Sequence, residues 1–248
     1  IAYRSMIDYM GARAVALPHR MENNFSFDAE ELLSLINDKT RLIILNSPAN
    51  PTGGVVPHRE LEKLAKGLKK FPNVFILSDE IYSRILFDGH EHSSLLTFPE
   101  VRDRVIVLDG WSKTYSMTGW RLGYGIFPKS IFKYAEKLAI NCHSCISIPT
   151  QLAGIEALNG SQDSVNKMVQ EFQERRNFLV SELNKIKDVS CVTPGGAFYV
   201  FPKINKKNHK SLDISNFLLE RMFVATVPGS SFGKNGEGFL RISYASKL

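Results

Sequence analysis

Three nearly continuous apolar runs constrain the fold of this 248-residue chain more than any other feature. They span residues 41–45, 74–77 and 105–108, and an amphipathic helical pattern over 58–71 separates the first run from the second. Strands that are apolar on both faces are typical of parallel sheets buried between helices. The pattern therefore predicts an α/β fold with a mostly parallel sheet sandwiched by helices.

The remaining pattern predicts further elements in the first part of the chain and then a second, smaller domain. Asp28 and Glu31 form a capping pair before a helix, a short strand is predicted at 14–17, and further helices at 131–139, 151–158 and 164–187. After the long helix the chain changes to short strands around Pro194-Gly195-Gly196, a helix at 214–222 and two last strands. This change predicts a smaller C-terminal α+β domain. We place the boundary within the long helix, which divides the chain into 1–172 and 173–248.

The net charge of +6 raises the question of nucleic-acid binding. No recognised nucleic-acid module accompanies the basic residues, so we expect solvated surface and no nucleic-acid partner. No apolar run approaches the length of a membrane span, so we expect no membrane partner either. The basic residues concerned lie on one helical pattern and in one loop: Lys63, Lys66, Lys69 and Lys70, then Lys203, Lys206, Lys207 and Lys210.

Three cysteines do not make a disulfide framework and point to a reducing compartment, so we expect a cytoplasmic protein. Cys142 and Cys145 have the spacing of a redox or metal pair, but a structural zinc site needs four ligands and no second pair lies nearby. We therefore expect no metal. The last three residues, Ser246-Lys247-Leu248, spell a peroxisomal address, although their position after a strand-like run favours coincidence.

Polar side chains follow each of the three predicted strands. Ligands bind outside the carboxyl ends of parallel strands, so these side chains are expected at one site. A lysine this close to a core strand is unusual, because lysines are rarely buried unless they are paired or functional. In chain order the residues are Asn50, then Asp79 and Tyr82, then Ser112, Lys113 and Arg121.

An amine, a carboxylate, a phenol, an amide and a guanidinium in one crevice suit pyridoxal phosphate (PLP). The amine forms a Schiff base with the aldehyde. The carboxylate keeps the pyridine nitrogen protonated, which makes the ring an electron sink. The guanidinium binds the phosphate. Taken alone, Asp79 and Asn50 are also compatible with turns, Tyr82 with a core position and Arg241 with an edge strand, and only the combination predicts the cofactor.

Five segments, in order along the chain, resemble the class I/II aminotransferases, the aspartate aminotransferase-like enzymes of PLP fold type I. They are residues 46–53 (NSPANPTG), 78–82 (SDEIY), 112–121 (SKTYSMTGWR), 195–199 (GGAFY) and 239–243 (FLRIS). The resemblance covers essentially the whole chain and implies the fold of that family's PLP-binding domain and C-terminal domain.

The resemblance implies a role for each matching cofactor residue. Lys113 would hold the cofactor as a Schiff base and move a proton between substrate and cofactor. Asp79 would pair with the pyridine nitrogen. Tyr82 and Asn50 would hydrogen-bond the ring 3-hydroxyl.

It also implies how the two anionic groups are bound. Ser112 and Arg121 would bind the cofactor phosphate, while Arg241, together with Asn50, would bind the substrate α-carboxylate. The sequence departs from some family members at Gly110, where they carry a phosphate-binding serine.

The implied activity is transfer of an amino group between an L-amino acid and a 2-oxo acid, by a homodimer with residues 141–151 near the subunit boundary. Two alternatives stay open on the same scaffold. One is another PLP enzyme, such as a C–S β-lyase or a ring-forming synthase. The other is a non-catalytic PLP-binding effector domain of a transcription regulator.

Family members extend further at the N-terminus, where they carry a glycine-rich phosphate loop, an aromatic ring that stacks on the cofactor and a substrate lid. They also carry final helices after the strand that bears the arginine. We therefore expect this chain to be incomplete at both ends. Its sequence does not indicate which amino acid is preferred.

Overall fold

The computed structural model describes residues 2–206 and 209–246. Lys207 of the basic loop and the last two residues of the terminal tripeptide lie outside the described residues. The described helices are α1 (Ala2–Tyr9), α2 (Ala29–Ser34), α3 (His58–Gly67), α4 (Trp111–Thr114), α5 (Lys129–His143), α6 (Ile148–Asn159), α7 (Asp163–Lys185) and α8 (Ser211–Met222). The described strands are β1 (Leu42–Asn46), β2 (Phe75–Asp79), β3 (Val105–Gly110), β4 (Gly123–Ile126), β5 (Val189–Ser190), β6 (Tyr199–Val200), β7 (Lys203–Ile204), β8 (Val227–Pro228) and β9 (Leu240–Ser243).

The main sheet has the order β1-β2-β3-β4. Its first three strands are parallel, with Asn46 opposite Asp79 and Asp79 opposite Leu108. The fourth strand is antiparallel and pairs Gly123 with Gly110. The predicted mostly parallel sheet is confirmed, and the carboxyl ends of β1, β2 and β3 meet at one edge.

Helix α3 covers one face of this sheet because its apolar residues recur at the helical period. Leu61, Leu64 and Ala65, with Leu68 just beyond the helix, are at most 5% exposed. They pack in one cluster with strand residues including Ile43, Ile76 and Val105. Burial of this stripe, rather than helix propensity, supplies most of the stability of a ten-residue helix.

Two local predictions have different outcomes. The Asp28 carboxylate caps α2 by accepting hydrogen bonds from the backbone N–H groups of Glu30 and Glu31, at 2.8 and 3.0 Å. The Glu31 side chain does not complete the capping box, because it pairs with Arg20 at 2.6 and 2.8 Å. The strand predicted at 14–17 is wrong, since those residues form irregular structure.

A second core lies beneath the antiparallel sheet β6-β9-β8. It combines residues that follow β2 with residues of α7 and of the C-terminal strands, so residues on both sides of position 172 share it. The domain division at 172 stays a prediction. The buried members are Tyr82, Ile85, Phe87, Phe172, Val180, Cys191, Ala197, Tyr199, Val200 and Tyr244.

The glycine pair before β6 is hydrogen-bonded between two loops of the main sheet. The Gly196 N–H donates to the Gly53 carbonyl at 3.1 Å, and the Gly195 carbonyl accepts from the Phe87 N–H at 2.9 Å. Ala197 continues the pairing by donating to the Ile85 carbonyl at 2.9 Å. We call residues 195–197 the glycine bridge. It places the strand that follows it against the carboxyl edge of the main sheet.

A buried arginine forms a hydrogen bond to the residue directly before the glycine bridge. Arg176 of α7 is 1% exposed at its side chain and pairs with both carboxylate oxygens of Asp88. Its guanidinium also donates to the Pro194 carbonyl at 2.9 Å, directly before the bridge. A buried guanidinium needs such a set of acceptors, since its desolvation is otherwise costly.

Large apolar side chains remain exposed on α5 and α6. Leu138, Ile148 and Leu152 are each at least 61% exposed, and every residue of the neighbouring strand β4 is exposed.

Within the part of the chain that the structure describes, we found no helix long and apolar enough to span a bilayer.

Replacing Gly196 with alanine is expected to destabilise the protein. An added Cβ would lie 2.8 Å from the Ile85 carbonyl oxygen and 2.8 Å from the Pro48 ring. The backbone must move to relieve this contact, which costs about 1–3 kcal/mol of unfolding free energy. Chemical denaturation measures the loss.

Gly119→Ala is the matched control, because no atom lies within 4 Å of its added Cβ. It should change the unfolding free energy by less than about 0.5 kcal/mol. Equal effects of the two substitutions would show that the glycine bridge is not tightly packed.

Candidate active site

The loop after β1 folds back onto the end of β2. The Asn46 amide donates to the Asp79 carbonyl at 3.1 Å, and its oxygen accepts from the Asn50 N–H at 2.8 Å. The Ser47 N–H also donates to the Asp79 carbonyl, at 3.3 Å. These bonds hold Asn50 and Asp79 at the same edge of the sheet, although 29 positions of chain separate their numbers.

Asp79 is half-buried and its carboxylate is held from two directions. One oxygen accepts from the Ile81 N–H at 3.3 Å and the other from the Tyr3 hydroxyl at 2.6 Å. Burial, and then the bond to Asp79, raise the pKa of Tyr3, which therefore stays a neutral donor. Tyr3 was missed by sequence reasoning, because nothing in the pattern of α1 distinguishes it.

Glu80 anchors the chain immediately after Asp79. Its buried carboxylate accepts hydrogen bonds from the hydroxyls of Ser78 and Ser94, each at 2.8 Å, and lies 2.7 Å from His92 Nε2. Its backbone N–H donates to the Leu108 carbonyl of β3 at 2.8 Å. The residues directly before and after Asp79, Ser78 and Glu80, are therefore both held by hydrogen bonds.

Lys113 lies on the helical turn α4, directly after β3, and is half-buried. Its Nζ is 5.7 Å from the centroid of the Phe198 ring. Burial lowers the pKa of Lys113, and the positive charges of Arg121 and Arg241 lower it further. A larger fraction of this amine is uncharged at neutral pH than for an ordinary lysine, which favours nucleophilic attack.

A chain of side-chain contacts links three of the predicted residues. The Tyr82 and Tyr199 hydroxyls are 3.0 Å apart, and the Arg241 guanidinium stacks 4.6 Å from the Tyr199 ring centroid. Arg241 then donates to the Asn50 amide oxygen at 3.0 Å. The sequence indicated residues 195–199 as a family segment but assigned no role to Tyr199 or Phe198.

The two predicted phosphate residues are less closely connected. Arg121 is exposed, adopts a left-handed backbone (φ 55°) and donates to the Thr118 carbonyl at 2.9 Å. Ser112 adjoins Lys113 on α4, and among the described residues no side-chain hydrogen bond joins it to the others. The structure thus connects Asn50, Tyr82 and Arg241 through Tyr199, and the charges of Asp79 and Arg241 both act on Tyr82. Lys113 lies near this group, since the charges of Arg121 and Arg241 act on it.

A cavity of about 190 Å³ lies at the end of β3 beside this cluster, lined by residues that include Ser83, Asp109 and Tyr124. Burial raises the pKa of Asp109, whose carboxylate accepts from the Gly110 N–H at 2.7 Å. None of the predicted cofactor residues lines this cavity.

The cysteine pair is exposed at the end of α5. Across residues 2–206 and 209–246, no three His, Cys, Asp or Glu side chains are grouped so that they could hold a metal ion.

The fold and the cluster define an α/β protein whose site combines an amine, a carboxylate, a phenol and two guanidiniums at the carboxyl edge of a parallel sheet. The family model described as aminotransferase class I and II matches residues 2–247. The chain belongs to this family.

Individual relatives agree with that assignment. A probable aspartate/prephenate aminotransferase of Rickettsia felis is 39% identical over all of this chain. An aspartate aminotransferase of Pyrococcus horikoshii is 37% identical over 99% of it. The chain spans 63% of the length of each of these two relatives.

Solved structures show the same fold. The aromatic aminotransferase of Pyrococcus horikoshii superposes with a TM-score of 0.94 at 35% identity, covering all of this chain and 66% of that one. The aspartate aminotransferase of Rhizobium meliloti gives 0.92 at 33% identity, covering 99% of this chain and 64% of that one.

Removing one positive neighbour should raise the pKa of Lys113 toward the ordinary lysine value. In Arg241→Gln the pH midpoint for acylation of Lys113 is expected to move upward, because a lost positive charge no longer disfavours the ammonium form. Competitive acylation across a pH series, followed by mass spectrometry, measures the midpoint. Lys66, whose pKa Glu62 raises, serves as the internal control and should not move. An unchanged Lys113 midpoint would show that the charge of Arg241 does not act on this amine.

Proposed function

We propose that the protein is a PLP-dependent aminotransferase that moves an amino group between an L-amino acid and a 2-oxo acid. One observation carries the proposal. The half-buried Lys113, with its lowered pKa, lies near enough to Arg241 for that charge to act on it, and the charges of Arg241 and Asp79 both act on the Tyr82 phenol. Amino-group transfer needs a nucleophilic amine, a partner for the cofactor ring and an anchor for the substrate carboxylate.

The chemistry of the donor set fits PLP. When bound, PLP supplies an electron-withdrawing ring that makes the substrate α-proton acidic. Asp79 is suited to the ring nitrogen, because Tyr3 and Ile81 orient its carboxylate while each oxygen keeps acceptor capacity. Tyr82 is suited to the ring hydroxyl, since burial raises the pKa of its phenol and keeps it a donor.

Lys113 would act first as the amine that holds the cofactor aldehyde and then as a base. With the cofactor in place, Lys113 would also serve as the base that takes up the substrate α-proton and returns it. A lowered pKa suits both roles, because the uncharged form is the nucleophile and the base. Ser112 lies on the same helical turn as Lys113, and Arg121 lies in the segment that follows this turn. Both are proposed to bind the phosphate.

Arg241 is proposed to bind the substrate α-carboxylate. Its guanidinium lies between two rings, 4.6 Å from the Tyr199 centroid and 5.3 Å from that of Phe232. Asn50 holds one of its terminal nitrogens. A planar fork held in this way suits a bidentate pair with a carboxylate, which a lysine cannot form.

The assembly and substrate are part of the same proposal. The exposed apolar residues of α5 and α6 flank residues 141–151 and support a homodimer interface there. The names of the relatives make aspartate and prephenate the first substrates to test. We also propose the domain division near residue 172 and, from the cysteine content, a cytoplasmic location.

Lys113→Ala is expected to abolish the visible absorption band that PLP gives when held by a lysine. Addition of PLP to the purified chain, followed by spectroscopy before and after dialysis, measures the band. Lys66→Ala removes an exposed lysine and should leave the band intact. A wild-type chain without any band would contradict the proposal.

Amino acids added to the loaded protein distinguish the possible activities. Conversion of the bound cofactor to its amine form, with release of a 2-oxo acid, supports an aminotransferase. Release of ammonia with a 2-oxo acid would instead indicate a lyase. A stable band that no amino acid changes would indicate a binding domain without catalysis.

Arg241→Lys should lower kcat/KM for the amino acid by about tenfold to a hundredfold, the value of a lost charge-assisted hydrogen bond. Half-reaction rates at several substrate concentrations measure the effect. Arg59→Lys alters an arginine with 81% of its side chain exposed and should change nothing. An Arg241→Lys protein with unchanged kcat/KM would remove Arg241 from the substrate site.

A further inference from the structure

We infer that Tyr199 is a positioning residue with two separable functions: its hydroxyl orients the Tyr82 hydroxyl, and its ring holds the Arg241 guanidinium. The inference rests on the proposed function. It means that one side chain, Tyr199, orients both the residue proposed for the cofactor, Tyr82, and the residue proposed for the substrate, Arg241.

The hydroxyl function follows from the number of protons available. Tyr82 and Tyr199 are 3% and 7% exposed, and their hydroxyls are 3.0 Å apart. Each phenol carries one donor proton and can also accept. When Tyr199 donates to Tyr82, the Tyr82 proton is left free for a third group. Tyr82 is then polarised by the bond that it receives, and it becomes a stronger donor to an anionic oxygen.

The ring function follows from strand register. Tyr199 of β6 lies opposite Ser243 of β9. Arg241 precedes Ser243 by two positions on β9, and residues two apart on a strand point to the same face. Arg241 is therefore the diagonal neighbour of Tyr199, within reach of a long side chain. The observed stacking at 4.6 Å is the result.

Tyr199 has little freedom to move away from these two partners. Its ring contacts Tyr82 edge to face at 5.9 Å and Phe198 at 4.8 Å between centroids. The glycine bridge fixes the backbone just before β6 through hydrogen bonds to Gly53 and Ile85. A side chain held this firmly can transmit its orientation to the two polar groups that it touches.

Two substitutions at this position separate the two functions. Tyr199→Phe removes the hydroxyl and keeps the ring, whereas Tyr199→Leu removes both. The measurements are the Kd for PLP from the visible band, the pH midpoint of that band, and KM and kcat for an amino acid. Thermal unfolding of each variant without PLP shows whether it is folded.

Tyr199→Phe is expected to weaken PLP binding about threefold to tenfold, the value of one hydrogen bond. It should also move the pH midpoint of the band upward, because a weaker Tyr82 donor stabilises the anionic ring oxygen less. KM should stay near the wild-type value, since the ring still stacks on Arg241. Tyr199→Leu should show the same cofactor effects and, in addition, a KM raised about threefold to tenfold.

Tyr244→Phe is the matched control. Tyr244 is a buried phenol of the same core, and its hydroxyl donates to the Ala197 carbonyl at 3.2 Å rather than to a site residue. It should leave the pH midpoint unchanged. A wild-type band with the same Kd and midpoint in Tyr199→Phe would overturn the hydroxyl function, and an unchanged KM in folded Tyr199→Leu would overturn the ring function. Absence of the band from the wild type would instead overturn the proposed function, and this inference with it.

Discussion

The glycine bridge is the contact on which the rest of the site depends. Two strand-end loops of the main sheet and one segment of the C-terminal sheet meet there through backbone hydrogen bonds at Gly53, Ile85 and Phe87. Backbone atoms can approach this closely only where no Cβ intervenes, as the short contacts around Gly196 show. Arg176 also holds this segment by donating to the Pro194 carbonyl directly before it. This junction fixes the start of β6 relative to the loops that follow β1 and β2.

Once the junction is made, the side chains that follow it complete the site. Phe198 lies against Lys113, Tyr199 against Tyr82, and Arg241 reaches Asn50. Each contact pairs a residue that follows a strand of the main sheet with a residue in or next to the C-terminal sheet. The rigidity of the site therefore comes from packing between the segments after β1, β2 and β3 and the C-terminal strands. The second hydrophobic core, which joins residues that follow β2 to residues of α7 and of β6, stabilises this arrangement.

The positive charges of the site lie close to one another. Lys113, Arg121 and Arg241 are close enough for the arginines to lower the pKa of the lysine. Such a concentration of cations is unfavourable in an isolated protein but complementary to a phosphate and a carboxylate. The negative charges of Asp79 and Glu80 are stabilised in a different way, by hydrogen bonds. Each carboxylate is surrounded by neutral or weakly basic donors, Tyr3 in one case and Ser78, Ser94 and His92 in the other.

The sequence by itself determined the parallel strands, the residues at their carboxyl ends and the family, because apolar runs and strand-end polar residues are local features. It could not determine that Tyr3 holds Asp79 or that Tyr199 links Tyr82 to Arg241. Those pairs are separated by 76 and 117 positions or depend on strand register, and no local pattern encodes them. The strand predicted at 14–17 failed for the related reason that a strand needs a partner, and only the tertiary structure decides whether one is present.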